Sequence, residues 1–201
     1  KPKGITYMVQ FPGWNRLVFD LKSKFNGNVV FDCMDDHAGF STNNNSALKE
    51  EIELIQNSDM VISSSQLLYD KNIKLNKNTI QVKNGTEFEY FNNSTANGKL
   101  DYLSEKPIIG YYGAISDWFD MDMVEYCAKQ LPNYNFVMIG STFGCDISYA
   151  EKIENIHFLG EIPYKELTGY FSYFDVCLIP FKIIPLTLAT NPVKFYEYIS
   201  A

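Results

Sequence analysis

The chain has 201 residues, 46% hydrophobic and 15% aromatic, which excludes disorder and provides for one large packed domain or two small ones. Its net charge is −7, its lysines are scattered and Arg16 is its only arginine, which argues against a nucleic-acid surface. No apolar run approaches the roughly 20 residues of a membrane span, and no stretch reads as a signal peptide.

In chain order, the apolar run Ile5–Gln10 predicts a strand, Asn15–Lys24 a helix and Asn28–Asp32 a strand. Ser46–Asn57 predicts a helix, Met60–Ser63 a strand, Ser65–Asp70 a helix and Thr79–Val82 a strand. The polar, turn-rich stretch Asn92–Lys99 then reads as a linker. Beyond it come strand Ile108–Tyr112, helix Met121–Gln130, strands Asn135–Ile139 and Ile156–Leu159, helix Tyr164–Phe174, strand Val176–Ile179 and helix Pro192–Ile199. Strands separated by helices of this length predict βαβ units and parallel sheets. Cys33, Cys127, Cys145 and Cys177 form no CxxC pair and read as the reduced thiols of a cytoplasmic protein.

Several motifs fall where such folds place ligands. Phe31-Asp32-Cys33-Met34-Asp35-Asp36-His37 sets carboxylates and an imidazole at the carboxyl end of a strand. Neighbouring carboxylates can raise one pKa and create a proton-transfer group, so Asp35, Asp36 and His37 are catalytic candidates. Asp-rich turns also cap helices. One His among clustered Asp lacks metal-ligand spacing, so no metal is expected. Gln10–Trp14 follows the first strand and is a candidate wall of a ligand pocket. Asn84-Gly85 is a turn signal that would bring backbone amides to a cleft.

The strand Ile108–Tyr112 ends in Gly113-Ala114, where a missing Cβ lets a ligand approach the backbone; a plain strand-to-loop glycine is the other reading. No G-x-G-x-x-G is present. Asn155–Pro163 reads as a strand and turn containing Gly160 and Ile162, with His157 a core-edge histidine. In Asn191-Pro192-Val193-Lys194-Phe195-Tyr196-Glu197, Asn191 suits an N-cap and Pro192 a first helical residue. The free N–H groups of a helix start can hold an anion. A cation inside that first turn, Lys194, is disfavoured by about 0.3–1 kcal/mol, a conflict a bound phosphate removes. Glu197, three residues on, could accept two hydrogen bonds from a vicinal diol such as ribose. Lys194 and Glu197 could equally form an ordinary surface pair.

The segment from Phe174 to Ala201 resembles the nucleotide-sugar-binding end of GT-B glycosyltransferases of the group 1 (family 4) type, which serve bacterial surface-polysaccharide synthesis. There an acidic residue opens a helix and binds the donor ribose, the place taken by Glu197. Ala189 stands where the family usually carries a second, upstream Glu. Gly113 matches the glycine beside the diphosphate. Ala114 replaces the usual Arg, so charge neutralisation falls to Lys194 and Lys182. Gly160 and Ile162 match the turn that carries the base, and Asn84-Gly85 resembles the family's Asn-Gly motif near the interlobe cleft.

The resemblance implies an α/β fold of two Rossmann-like lobes of GT-B type with parallel sheets, each incomplete. Residues 1–90 would be the second half of the acceptor-side lobe, 91–106 a linker and 107–201 the first part of the donor lobe. It implies a glycosyltransferase, hexosyltransferase-like, that moves a sugar from a nucleotide-diphosphate sugar to a glycan or lipid-linked acceptor. No cofactor or metal is implied; the nucleotide sugar is substrate. The start at Lys1 rather than Met and the end at Ala201, just before the family's next glycine, mark the expectation of an internal fragment with little activity alone. A non-catalytic nucleotide-sugar-binding module and a nucleotide-sugar epimerase on the same scaffold are the alternatives. The expected location is the cytoplasm, with room for peripheral membrane contact. Open sheet edges allow a homo-oligomer.

Overall fold

The structure, a computed structural model, describes residues 4–40 and 45–201; Lys1 lies outside them. In chain order the elements are β1 (Ile5–Val9), α1 (Asn15–Phe25), β2 (Gly27–Cys33), α2 (Asn45–Asn57), β3 (Met60–Ser63), α3 (Gln66–Asn72), β4 (Thr79–Gln81), α4 (Phe88–Asn92), β5 (Ile108–Tyr112), α5 (Met121–Gln130), β6 (Asn135–Ile139), β7 (Ile156–Gly160), α6 (Tyr164–Phe171), β8 (Val176–Cys177), α7 (Pro185–Ala189) and α8 (Val193–Ser200). The chain divides into two units. One takes the chain up to Asn84 together with Ile183–Asn191; the other takes Gly85–Lys182 and Pro192–Ala201.

In the first unit all strand pairs are parallel, in the order β1-β2-β3-β4. Val29, Phe31 and Cys33 alternate along β2 and pack with Val9, Val61, Leu54 and Leu68. Helix α7 adds Ala189 to this core. Its Leu186 lies so close to Gly39 that a side chain there would overlap it. Ser65 caps α3 by accepting from the Leu68 amide at 3.2 Å, so it precedes the helix rather than opening it.

In the second unit the sheet is again parallel, in the order β7-β6-β5-β8. Both faces of β5 and β6 are buried, which is why these strands are continuously apolar. Side chains alternate across a strand. Ile109, Tyr111, Phe136 and Met138 pack with α5 on one face, and Ile108, Tyr112, Val137 and Ile139 pack with α6 on the other. Asp120 caps α5 by accepting from the Met123 amide at 2.9 Å. The 91–106 segment places Phe91, Leu100 and Leu103 in the second face. Strand β8 is shorter than its apolar run, although Leu178 extends the ladder with one bond to the Gly110 carbonyl at 2.8 Å. Among the described residues no helix is long and apolar enough to cross a membrane.

The order β7-β6-β5-β8 has one topological consequence. The chain runs outward from β5 to β6 and β7, then returns to the other side of β5. Beside the carboxyl end of β5 the strand order reverses, and open α/β sheets hold ligands at such a point.

Candidate functional site

The carboxyl ends of β5 and β6 turn on two glycines. Gly113 (φ 126°) and Gly140 (φ 139°) both sit in backbone conformations that side-chain-bearing residues rarely adopt. The Gly113 amide donates to the Ile139 carbonyl at 2.8 Å, and the Gly140 amide donates to the Gly160 carbonyl at 2.8 Å. A Cβ on Gly140 would overlap the Gly113 carbonyl oxygen, and a Cβ on Gly113 would overlap the Lys194 side chain. These glycines floor a cavity of about 250 Å³, walled by Tyr112, Ala114, Ser141, Glu161, Ile162 and Leu167. Gly113, Ala114 and Ile162 therefore meet in one cavity, with Gly160 at the end of β7. Gly140 and Ser141 repeat the strand-then-glycine pattern of Tyr112-Gly113, a signal the sequence reading passed over.

Helix α8 lies beside this floor. Lys194 extends across Gly113, its Nζ 5.7 Å from the Tyr111 ring centroid and 5.6 Å from that of Tyr112. Burial pushes its ammonium below the usual lysine pKa. Among the described residues it forms no ion pair, so the surface-pair reading with Glu197 does not hold. Glu197 points inward and is 3% exposed. Its Oε1 accepts from the Tyr164 hydroxyl at 3.0 Å, and its Oε2 has no hydrogen-bond partner among the described residues. Burial raises its carboxyl pKa to about 7. A buried carboxylate with one bond made and one oxygen unused has capacity for a hydroxyl-bearing ligand.

The helix start differs from the sequence reading. Pro192 (φ −69°, ψ 123°) is extended and occupies the N-cap position, and the helix opens at Val193. Asn191 lies one residue further out, in the first unit. There its side-chain oxygen accepts from the Asn84 amide at 2.8 Å and its carbonyl from Asn84 Nδ2 at 2.5 Å. The expected cap is thus a clasp between two asparagines of the first unit. Gly85 begins the second unit with open space around it. Lys182 donates to the Asp117 carbonyl at 2.7 Å and lines a separate cavity with Ser116, Phe119 and Cys145, not the one floored by Gly113. His157 is half-buried and bonds Asn135 Oδ1 at 3.0 Å, as a core-edge histidine does.

In the first unit the acidic turn is tied to a partly buried charge cluster. Lys71 Nζ donates to Asp36 Oδ1 at 2.8 Å and lies 3.6 Å from Glu51, which is 2% exposed. Neither Lys71 nor Glu51 was legible as part of this turn from sequence. Burial raises the carboxyl pKa of Glu51, against the pull of Lys71, and that of Asp35, against the pull of His37. His37 packs edge-on to Phe11, with ring centroids 6.1 Å apart. Burial pushes the Cys33 thiol up to about 12, so it is inert near neutral pH. Among the described residues no group of His, Cys, Asp and Glu side chains is arranged to hold a metal ion.

Comparison with known proteins fits this geometry. No protein-family profile matches the chain. In sequence it is 28% identical over 192 residues to TuaH of Bacillus subtilis, named as a teichuronic acid biosynthesis glycosyltransferase, with 86% of this chain covered and 48% of that protein. In structure it is similar to the sucrose-phosphate synthase of Thermosynechococcus elongatus, at a TM-score of 0.69 and 16% identity, over 89% of this chain and 52% of that one. It is also similar to HepE of Anabaena in complex with UDP-glucose, at a TM-score of 0.67 and 14% identity, over 86% of this chain and 52% of that one. The chain spans about half the length of these relatives. The resemblance to GT-B glycosyltransferases is borne out, and the two parallel α/β lobes are those of the GT-B fold.

Proposed function

We propose that the intact protein is a glycosyltransferase that moves a sugar from a nucleotide-diphosphate donor to a glycan or lipid-linked acceptor in surface-polysaccharide synthesis. The observation that carries this reading is the pair on α8. Among the described residues Lys194 forms no ion pair and lies against Gly113, and Glu197 is a buried carboxylate one turn later whose Oε2 has no hydrogen-bond partner. The first suits a diphosphate and the second a ribose diol. The cavity walled by Ser141, Glu161, Ile162 and Leu167 is the place for the base. Lys194 takes the role that an Arg at Ala114 would have in the resembled family. Lys182, engaged with the Asp117 carbonyl, is a weaker candidate. Ala189 lies fully buried in the core of the first unit, so no upstream carboxylate assists.

The acceptor side is assigned to the first unit. Asp36 is engaged with Lys71, which leaves Asp35 and His37 as the groups for handling the acceptor proton. Four free thiols support a cytoplasmic location as part of this reading. Incubating the intact protein with uridine, guanosine and thymidine diphosphate sugars, with and without lipid-linked and glycan acceptors, tests the activity. Acceptor-dependent release of free nucleoside diphosphate is the expected outcome. Conversion of the donor sugar without any acceptor would identify an epimerase instead, and tight donor binding without product a non-catalytic module.

A further inference from the structure

Glu197 does not stand alone, and what holds it lies outside every motif that drew attention to α8. Tyr164, the first residue of α6, donates its hydroxyl to Glu197 Oε1 at 3.0 Å. The Tyr164 ring is itself fixed by α4. Tyr90 stacks on it with centroids 5.7 Å apart and planes at 16°, and the fully buried Phe91 meets it edge-on at 5.9 Å. The Tyr90 hydroxyl also donates to the Tyr164 carbonyl at 3.0 Å. Helix α4 thus braces the α6 tyrosine whose hydroxyl reaches the Glu197 carboxylate of α8. Tyr164 is 48% exposed, so burial of apolar area explains its fixed pose less well than the bonds it makes.

A carboxylate presents two oxygens, and a ribose diol presents two donors. If the carboxylate turned freely about its last torsion, binding the diol would first have to fix it, at an entropic cost. Here one oxygen is already engaged, and Oε2 has no partner among the described residues. We propose that Tyr164 is a positioning residue for the donor nucleotide: its hydroxyl holds Glu197 so that Oε2 is set to receive the ribose hydroxyls. The α4–α6 aromatic stack is the support that keeps that hydroxyl in place. The assignment rests on the ribose role of Glu197 given above.

The bond also bears on protonation. A donor hydroxyl favours the ionised carboxylate, whereas burial disfavours it. Among the described residues, the ionisable groups that bear on the pair are Tyr198 on α8, Tyr90 on α4 and Glu87 just before it. Glu87 is near the Tyr164 hydroxyl rather than the carboxylate, and Lys194 lies one turn back toward Gly113.

The test compares ribose with 2′-deoxyribose. Affinities of the intact protein for uridine diphosphate and 2′-deoxyuridine diphosphate, and for the guanosine pair, are measured between pH 6 and 8.5, and the pair that binds more tightly is followed. The ribo-to-deoxy ratio cancels the titration of the phosphates. Tyr164→Phe keeps the stacked ring and removes only the hydroxyl. It is expected to reduce the ratio about tenfold at pH 7, the size of a lost hydrogen bond to a charged group, and to move the pH at which the ratio rises upward. A melting temperature lowered with the ratio and its pH profile unchanged would overturn the proposal, because it would leave Tyr164 a structural role alone. Glu197→Ala separates this from the reading beneath it. If that variant abolishes the ratio while Tyr164→Phe leaves it intact, the ribose role stands and the positioning role falls. If Glu197→Ala preserves the ratio, or neither nucleotide binds, both fall.

Discussion

Glu197 is caught between burial and charge, and pH should expose the conflict. Its ordinary carboxyl pKa is 4.5, and burial raises it to about 7 in the fold. Between those values the folded state holds a proton that the unfolded chain has released, so stability falls as pH rises through this window. The loss is up to about 3 kcal/mol, and urea denaturation at pH 5 and pH 8 measures it. Glu197→Gln should flatten that difference. Nucleotide affinity should change in the opposite sense and rise through pH 7, because only the ionised carboxylate accepts from both ribose hydroxyls. The role proposed for Lys194 concerns a different part of the ligand. Lys194→Met should weaken a nucleoside diphosphate about 10- to 100-fold, the size of a charge-assisted bond, and leave the nucleoside unaffected. The glycine floor is a matter of space. Gly140→Ala would drive a methyl into the Gly113 carbonyl, so a lower melting temperature and weaker donor binding should appear together.

Among the elements, the contrast between Lys71 and Lys22 separates a partly buried charge cluster from a surface pair. Lys71 lies between Asp36 and the buried Glu51, and Lys71→Met leaves both carboxylates without it, at a cost of about 2 kcal/mol or more. Lys22 pairs with the exposed Asp59 at 2.6 Å, and Lys22→Met should cost less than about 1 kcal/mol. Chemical denaturation of the two variants checks the order. The strands and longer helices were legible in sequence because their apolar period is strong: Met60–Ser63, Ile108–Tyr112, Asn135–Ile139 and Met121–Gln130 match residue for residue. The five-residue helices α4 and α7 were not, since so short a helix cannot nucleate by itself and forms here around buried Phe91, Leu186 and Ala189. Asn191-Pro192 carried a correct helix signal placed one residue early, because Asn84, far away in sequence, takes the would-be cap. Glu197 and Lys194 could be picked out by motif, whereas Tyr164 could not, because its role depends on α4, α6 and α8 packing together.

At the scale of the whole molecule, the proposed function requires an acidic chain to hold an anionic ligand. On that reading it does so with local devices rather than net charge: backbone left open to close approach where strands end in glycine, and Lys194, which forms no ion pair among the described residues. The chain spans about half the length of its relatives, and each of its two units carries a four-stranded parallel sheet. The second unit contains the switch point, the cavity floored by Gly113 and both α8 residues of the proposed donor site. The most direct test is calorimetric titration of the intact protein and its Glu197→Ala variant with uridine, guanosine and thymidine diphosphate sugars. At least one donor should bind the unaltered protein and lose about tenfold or more in affinity in the variant; failure of every donor to bind, or equal affinity in both proteins, would contradict the account.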